Sequence, residues 1–356
     1  METPLLATKL NIPPVRPQIV PRPRLIEKLK EGLSYNLVLI SAPAGFGKTT
    51  LVSEWIRLSQ PQIQAPWVSL DEADNDPVRF WDYFIAALKM HWPATNESTS
   101  AMLHSPQPYP SESILTALIN DLTTVSDDFA VVLDDYHLIK NEAIHAGMTF
   151  LLEHMPPKMH LIIATRVDPE LPLSRFRGRG TMLEIGADDL RFTLDETGAL
   201  LQGLLGVTLS PEDIRALLER TEGWVVGLKM AALSLRGQQD VRSFLSTFTG
   251  SQRYVMDYLM EEVLKQQSEQ VQDFLLKTSV LERLSGSLCD FVVEGGDSAE
   301  MLRELERKHL FIVPLDESRQ WYRYHHLFAD LLRHQLKVKS GAKEVSRLHQ
   351  RAGQWY

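Results

Sequence analysis

The sequence predicts an α/β domain of the doubly wound type carrying a phosphate-binding loop, then an all-helical stretch, then helices closed by a hairpin as in a winged-helix module. Three observations carry this. Short apolar runs without polar alternation recur through the first 190 residues, with helical stretches between them. The first such run leads into "SAPAGFGKTT" (41–50), which opens a helix. Beyond residue 190 the strand pattern stops, and only "LFIVPLDESRQWYRY" (310–324) restores it.

The elements follow in order. "PPVRPQIVPRPRLIEKL" (13–29) begins extended, because repeated proline excludes helix, and turns helical at Arg24. "NLVLIS" (36–41) suits a strand buried on both faces of a parallel sheet. "PWVSL" (66–70), "FAVVLDD" (129–135) and "HLIIAT" (160–165) look alike, and "TMLEIG" (181–186) is a fifth candidate. The helical stretch 77–90 contains "RFWDYFIAAL", whose aromatic residues at helical spacing read as core packing rather than a ligand cage. "TLDE" (193–196) is a capping box with Thr193 as N-cap, and "SPED" (210–213) repeats the device with Pro211 at the first helical position. The chain then reads as helical to about residue 255. Near the end, two apolar or aromatic runs flank Asp316-Glu317-Ser318, a hairpin signal, and "HHLFADLLRHQLKV" follows as a helix. The expected divisions are 1–190 (with 13–29 as a segment before the first strand), 191–255, 256–340 and 341–356. The last is the start of a further helical region, and the natural protein is expected to continue past it.

Bulk properties exclude several classes. A net charge of -9 argues against a nucleic-acid surface spread over the chain. Cys289 stands alone, so neither an intrachain disulfide nor a cysteine zinc site is possible. No run approaches the ~20 apolar residues of a membrane span, and the N-terminus lacks the apolar stretch of a secretory signal. A cytoplasmic protein with no membrane partner is the expectation.

The chemistry starts at the loop. A phosphate needs backbone N–H donors, a helix N-terminus and a cation. Gly45 and Gly47 let the backbone curl around a β-phosphate, Lys48 reaches the β/γ oxygens, and the Thr49 hydroxyl is suited to Mg²⁺. Ala44, Gly45, Phe46, Gly47, Lys48, Thr49 and Thr50 form the candidate nucleotide cradle. Ala42 stands where the pattern G-x-x-x-x-G-K-[ST] has its first glycine, which predicts an ordinary φ there. "FAVVLDDYH" (129–137) is an apolar strand ending in acid. Asp134 is the candidate Mg²⁺ ligand, and Asp135 the candidate group that orients or deprotonates an attacking water. Arg166 follows a core strand on the edge where ligands bind in open α/β sheets, so it is a candidate γ-phosphate contact. Arg175, Arg177 and Arg179 read as a solvated basic run.

The ordered set of loop, "LDDYHLI", "ATRVDPELPLSRFRGRG", "LRF", "TEGWVVGLKMAALSLR" and "YRYHHLFADLLR" closely resembles the ATPase module of large LuxR-type activators, the MalT-like family within the STAND class of signal-transduction ATPases. The resemblance spans essentially the whole chain. It implies a RecA-like nucleotide domain, a helical domain and a winged-helix domain acting on one adenine nucleotide. It implies that "VPRPRL" (20–25) contacts adenine, with Val20 giving apolar or backbone contact and Arg22 touching ribose or phosphate. "TEGWVVGL" (221–228) is similar to the motif that carries Gly-x-Pro against the base, with Val225 in place of the proline. "YHH" (324–326) aligns with a Met-His-Asp motif. His325 takes the place of the histidine that bonds the ADP β-phosphate, and His326 replaces the aspartate. Read without the resemblance, the pair is a helix start with one buried and one exposed imidazole. Adjacent helical residues point apart, which argues against a metal site.

The implied function is a switch. ADP holds a closed monomer, exchange for ATP permits self-association, and slow hydrolysis resets it. An inducer would act through a sensor domain, and DNA would be met only through a C-terminal helix-turn-helix domain, both outside this chain. The alternatives are an ATP-using enzyme acting on a substrate and a scaffold that keeps ADP without hydrolysing it.

Overall fold

The computed structural model describes residues 4–15, 19–60, 62–93, 97–105, 109–236, 244 and 248–356. Residues 16–18 of the proline-rich segment, and 237–243 and 245–247 of the predicted helical stretch, lie outside the described residues. The chain forms two compact units. The first comprises Met1–Pro17, Arg22–Ala42 and Gly47–Leu190; the second comprises Gln18–Pro21, Pro43–Phe46 and Arg191–Tyr356.

The first unit is built on a parallel sheet of β1 (Leu37–Ser41), β2 (Trp67–Ser69), β3 (Phe129–Asp134), β4 (Met159–Thr165) and β5 (Met182–Ile185), in the order β2-β3-β4-β1-β5. Every residue of β1, β3 and β4 is buried, which is why these strands read as unbroken apolar runs. Leu37, Leu39, Val131, Leu133, Leu161 and Ile163 share a core with Phe80, Phe84 and Leu88 of the helix Pro77–His91. The aromatic residues of that helix are thus packing residues, as their spacing predicts. The strand order puts β4 between β1 and β3. The segment after β4 therefore emerges between the end of the loop-bearing strand and the end of the acidic strand. Neither local pattern nor propensity encodes that adjacency.

An N-terminal clasp closes the far strand edge. Lys9 is buried and pairs with Asp74 and, at 3.1 Å, with Asp71. Its ammonium lies 4.2 Å from the Tyr83 ring centroid, and Arg79 Nε reaches Asp74 Oδ1 at 3.1 Å.

In the second unit the helices Leu194–Leu205, Pro211–Thr221 and Val225–Leu235 come first. Thr193 and Glu196 form the reciprocal capping box. Ser210 caps Asp213 N, but the Asp213 carboxylate accepts the Ser210 hydroxyl at 2.8 Å instead of the cap backbone. Further on, β6 (Ile312–Pro314) and β7 (Tyr322–Tyr324) form the hairpin, and Leu284 adds an antiparallel bridge to Tyr322. The final helical stretch His326–Trp355 begins one residue later than its sequence suggests, with His325 as the N-cap residue, and it breaks at Gly341, where φ is 72°.

The buried clasp makes a prediction. Asp74→Ala leaves the Lys9 ammonium without its nearest counter-ion and is expected to cost about 3 kcal/mol, read as a lower urea midpoint. Replacing Lys9 and Asp74 together by Met and Leu should recover most of that loss. An unchanged midpoint in Asp74→Ala would mean the pair contributes no stability.

Candidate functional site

The loop departs from β1 while still paired to β4. Ala42 N donates to Thr165 O at 3.3 Å, so the position of the missing glycine is a continuation of the ladder. Ala42 is not among the residues with positive φ, in agreement with the sequence argument. The two glycines that remain are the ones the backbone requires, with φ of 77° at Gly45 and 84° at Gly47. Gly47 is also the N-cap of the helix Lys48–Ser59, and no side chain caps that end. Its backbone N–H groups and dipole are therefore presented to an anion.

Behind the loop, four groups crowd. Lys48 is buried, and its Nζ donates to Ala42 O at 2.7 Å. Thr49 Oγ1 donates to Asp134 Oδ1 at 3.1 Å, a bond that joins loop helix to acidic strand. Asp135 follows in the left-handed conformation, φ 58°, with its own N–H on Asp134 Oδ1 at 3.1 Å and its side chain turned outward. Burial, with Arg166 nearby, lowers the Lys48 ammonium to about 8. Burial, with Asp135 adjacent, raises the Asp134 carboxyl to about 6 despite the Thr49 hydrogen bond.

The hydroxyl and carboxylate oxygens of Thr49 and Asp134 are the hard ligands that Mg²⁺ takes. A buried cation beside an uncapped helix start and two left-handed glycines fits a polyphosphate. Arg166 lies close enough to depress both Lys48 and His137. Its loop is pinned: Thr165 Oγ1 donates to Val167 O at 2.6 Å, and Ser41 Oγ donates to Asp168 Oδ1 at 3.0 Å. Arg22 is buried, and its Nη2 donates to Leu190 O at 2.8 Å.

Within the second unit, the loop tip Pro43–Phe46 packs among aromatic side chains. Trp224 Nε1 donates to Ala44 O at 3.1 Å, and the Phe46 and Phe311 rings lie 6.3 Å apart. A Cβ on Gly45 would stand 2.7 Å from Val226 and 2.9 Å from both Trp224 Nε1 and the Tyr258 hydroxyl. Val20 is buried, and Val225 is the first residue of its helix, where proline is favoured.

The histidine pair divides. His326 has a half-exposed side chain, with its backbone N on Glu222 Oε1 at 3.0 Å. His325 is buried, with Nε2 3.0 Å from Thr221 O, and its ring lies against Trp224 and Phe311. Burial lowers the His325 imidazole to about 4, while Glu222 and the Thr221 carbonyl act in the opposite sense.

Sequence reasoning left out Ser41, Asp168, His137, Trp224 and Glu222. Glu222 lies inside the quoted "TEGWVVGL", yet its partners Arg191 and Arg323 are far away in sequence. The Arg175 and Arg177 side chains are paired with Glu153 and Glu184 on the exposed surface.

Asp134 generates a pH prediction. Its folded value lies above the ordinary 3.8 of an aspartate, so the residue favours folding below about pH 4, and that contribution is lost as pH rises through about 6. Asp134→Asn should therefore stabilise the nucleotide-free protein at pH 7 by up to about 3 kcal/mol. The gain should vanish toward pH 4 in urea unfolding, and equal stabilities at pH 7 would contradict the charge argument.

Residues 260–345 match the family model described as the MalT winged helix domain. The chain is 33% identical over 354 residues to the serine/threonine-protein kinase PknK of Mycobacterium tuberculosis, covering 99% of this chain and 32% of PknK. It is 35% identical over 354 residues to the HTH-type transcriptional regulator MalT of Yersinia pestis, covering 98% of this chain and 38% of MalT. The chain thus spans about a third of the length of these curated relatives. Among solved structures, the Walker-type ATPase PABY2304 of Pyrococcus abyssi superposes with a TM-score of 0.57 at 18% identity, covering 90% of this chain and 97% of that one. That likeness concerns the fold, a P-loop ATPase architecture. Among the described residues, no helix is long and apolar enough to cross a membrane. A MalT-type winged helix thus follows a P-loop ATPase fold, and similarity to MalT and to PknK runs through almost the whole sequence.

Proposed function

We propose that this chain is the adenine-nucleotide switch of a signal-responsive regulator. The observation that carries the reading is the bond from Thr49 Oγ1 to Asp134 Oδ1 beside the buried Lys48, within a loop whose two glycines are left-handed. We read 1–190 as the nucleotide domain, 191–255 as helical, 256–340 as winged helix and 341–356 as the start of a further helical region.

The roles follow from the chemistry of each group. Lys48 exchanges the Ala42 carbonyl for phosphate oxygens. Thr49 and Asp134 hold Mg²⁺, which supplies charge neutralisation at the phosphates. Ala44, Gly45, Phe46, Gly47 and Thr50 present the loop to the phosphate chain. Asp135 orients the attacking water, and Arg166 meets the γ-phosphate. Val20, Arg22 and Val225 serve the nucleoside end, and His325 serves the β-phosphate. ADP favours a resting monomer and ATP a self-associating form, to the extent that each binds one form better. Slow hydrolysis returns the second form to the first.

The transcriptional output is supported by the MalT relatives. The similarity to PknK supports a module that works beside more than one kind of output. In this reading an inducer and DNA are met by segments other than these 356 residues.

The test is the nucleotide content of the purified protein after denaturation and ion exchange. About one ADP per chain is expected, and none in Lys48→Ala. Asp135→Ala should keep binding and lose hydrolysis by at least ~100-fold. Failure to retain nucleotide or to bind Mg-ATP on titration would sink the proposal.

A further inference from the structure

His325 has one nitrogen engaged and one bare. A carbonyl oxygen only accepts, so the 3.0 Å contact with Thr221 O requires the proton on Nε2. The neutral ring then carries a lone pair on Nδ1, and that atom is buried with no hydrogen-bond partner. A lone pair cannot donate to a phosphate oxygen. The ring can meet an anion through Nδ1 only after taking up a second proton.

The residue next to Thr221 is suited to allow this. Glu222 sits at φ 49°, with its side chain 5% exposed. Its carboxylate receives Arg323 Nη1 and Nη2 at 2.7 and 2.9 Å, Arg191 Nη1 at 3.1 Å and His326 N at 3.0 Å. These bonds hold it well below the usual carboxylate range, so it stays charged. The charged groups that act on His325 are Glu222, which favours an imidazolium, and Arg191 and His326, which oppose it. Thr221 presents its carbonyl, and Trp224 and Phe311 present apolar rings.

We propose that Glu222 is a positioning residue for His325: it anchors the turn that holds Nε2 and supplies the negative charge that lets Nδ1 take a proton as a phosphate oxygen arrives. ADP binding then carries a solvent proton onto the protein. This rests on the reading of His325 as a phosphate ligand.

Calorimetric titration of the chain with ADP, in buffers of different protonation enthalpy at pH 6, 7 and 8, tests it. Protonation of ADP itself and of Lys48 is common to all variants and cancels in the comparison. Wild type should take up more protons per ADP at pH 7 than His325→Gln, by up to about one. Its Kd should rise more steeply with pH, by up to about tenfold per unit. Glu222→Gln should reduce the uptake and weaken binding roughly tenfold, as a one-unit shift does. Equal proton counts in wild type and His325→Gln would overturn the proposal while leaving the nucleotide site intact. ADP binding no tighter in wild type than in Lys48→Ala would overturn both.

Discussion

The hydrogen bond between Thr49 and Asp134 is the constraint on which the site depends. It ties the first turn of the loop helix to the end of β3 across 85 residues of sequence. With β4 lying between β1 and β3, the tie also fixes what can stand between them, namely Thr165 and Arg166. The loop leaves β1 as a continued ladder and turns only where Gly45 and Gly47 permit, so its geometry follows from the sheet edge as much as from its own residues. Alanine at position 42 is tolerated for the same reason: nothing there asks for a left-handed backbone.

This arrangement gathers like charges in a buried place. Lys48 and Arg166 are like charges close enough to depress the lysine, and Asp134 and Asp135 are like charges close enough to raise the acid. Desolvation adds to both. A polyphosphate would answer the two cations, and a divalent metal the two acids. The opposite charges offset part of this, since Asp134 and Asp135 act on Lys48 in the stabilising sense, and Lys48 on Asp134.

Legibility in the sequence divides along the same physical line. Parallel strands buried on both faces leave continuous apolar runs, so β1, β3 and β4 can be read from short segments. Thr193 and Pro211 are legible because caps are local. The loop is legible because its backbone admits glycine at fixed spacing. Sheet order is not local, so the pairing of Ser41 with Asp168 leaves no motif. Charge hubs are worse still: Glu222 gathers Arg191 from 31 residues before it and Arg323 from 101 after it. The tautomer of His325 is invisible in sequence, since it depends on which carbonyl the ring meets.

The two units also differ in how they use charge. In the first, burial and the neighbouring Asp135 hold the acid Asp134 above its normal range. In the second, Glu222 is held far below it, saturated by two arginines and a backbone N–H. A saturated carboxylate makes a poor ligand but a steady field, because its charge does not change across the physiological range. A buried imidazole beside a steady charge is where a small change in occupancy can move a proton, since neither Trp224 nor Phe311 can share it.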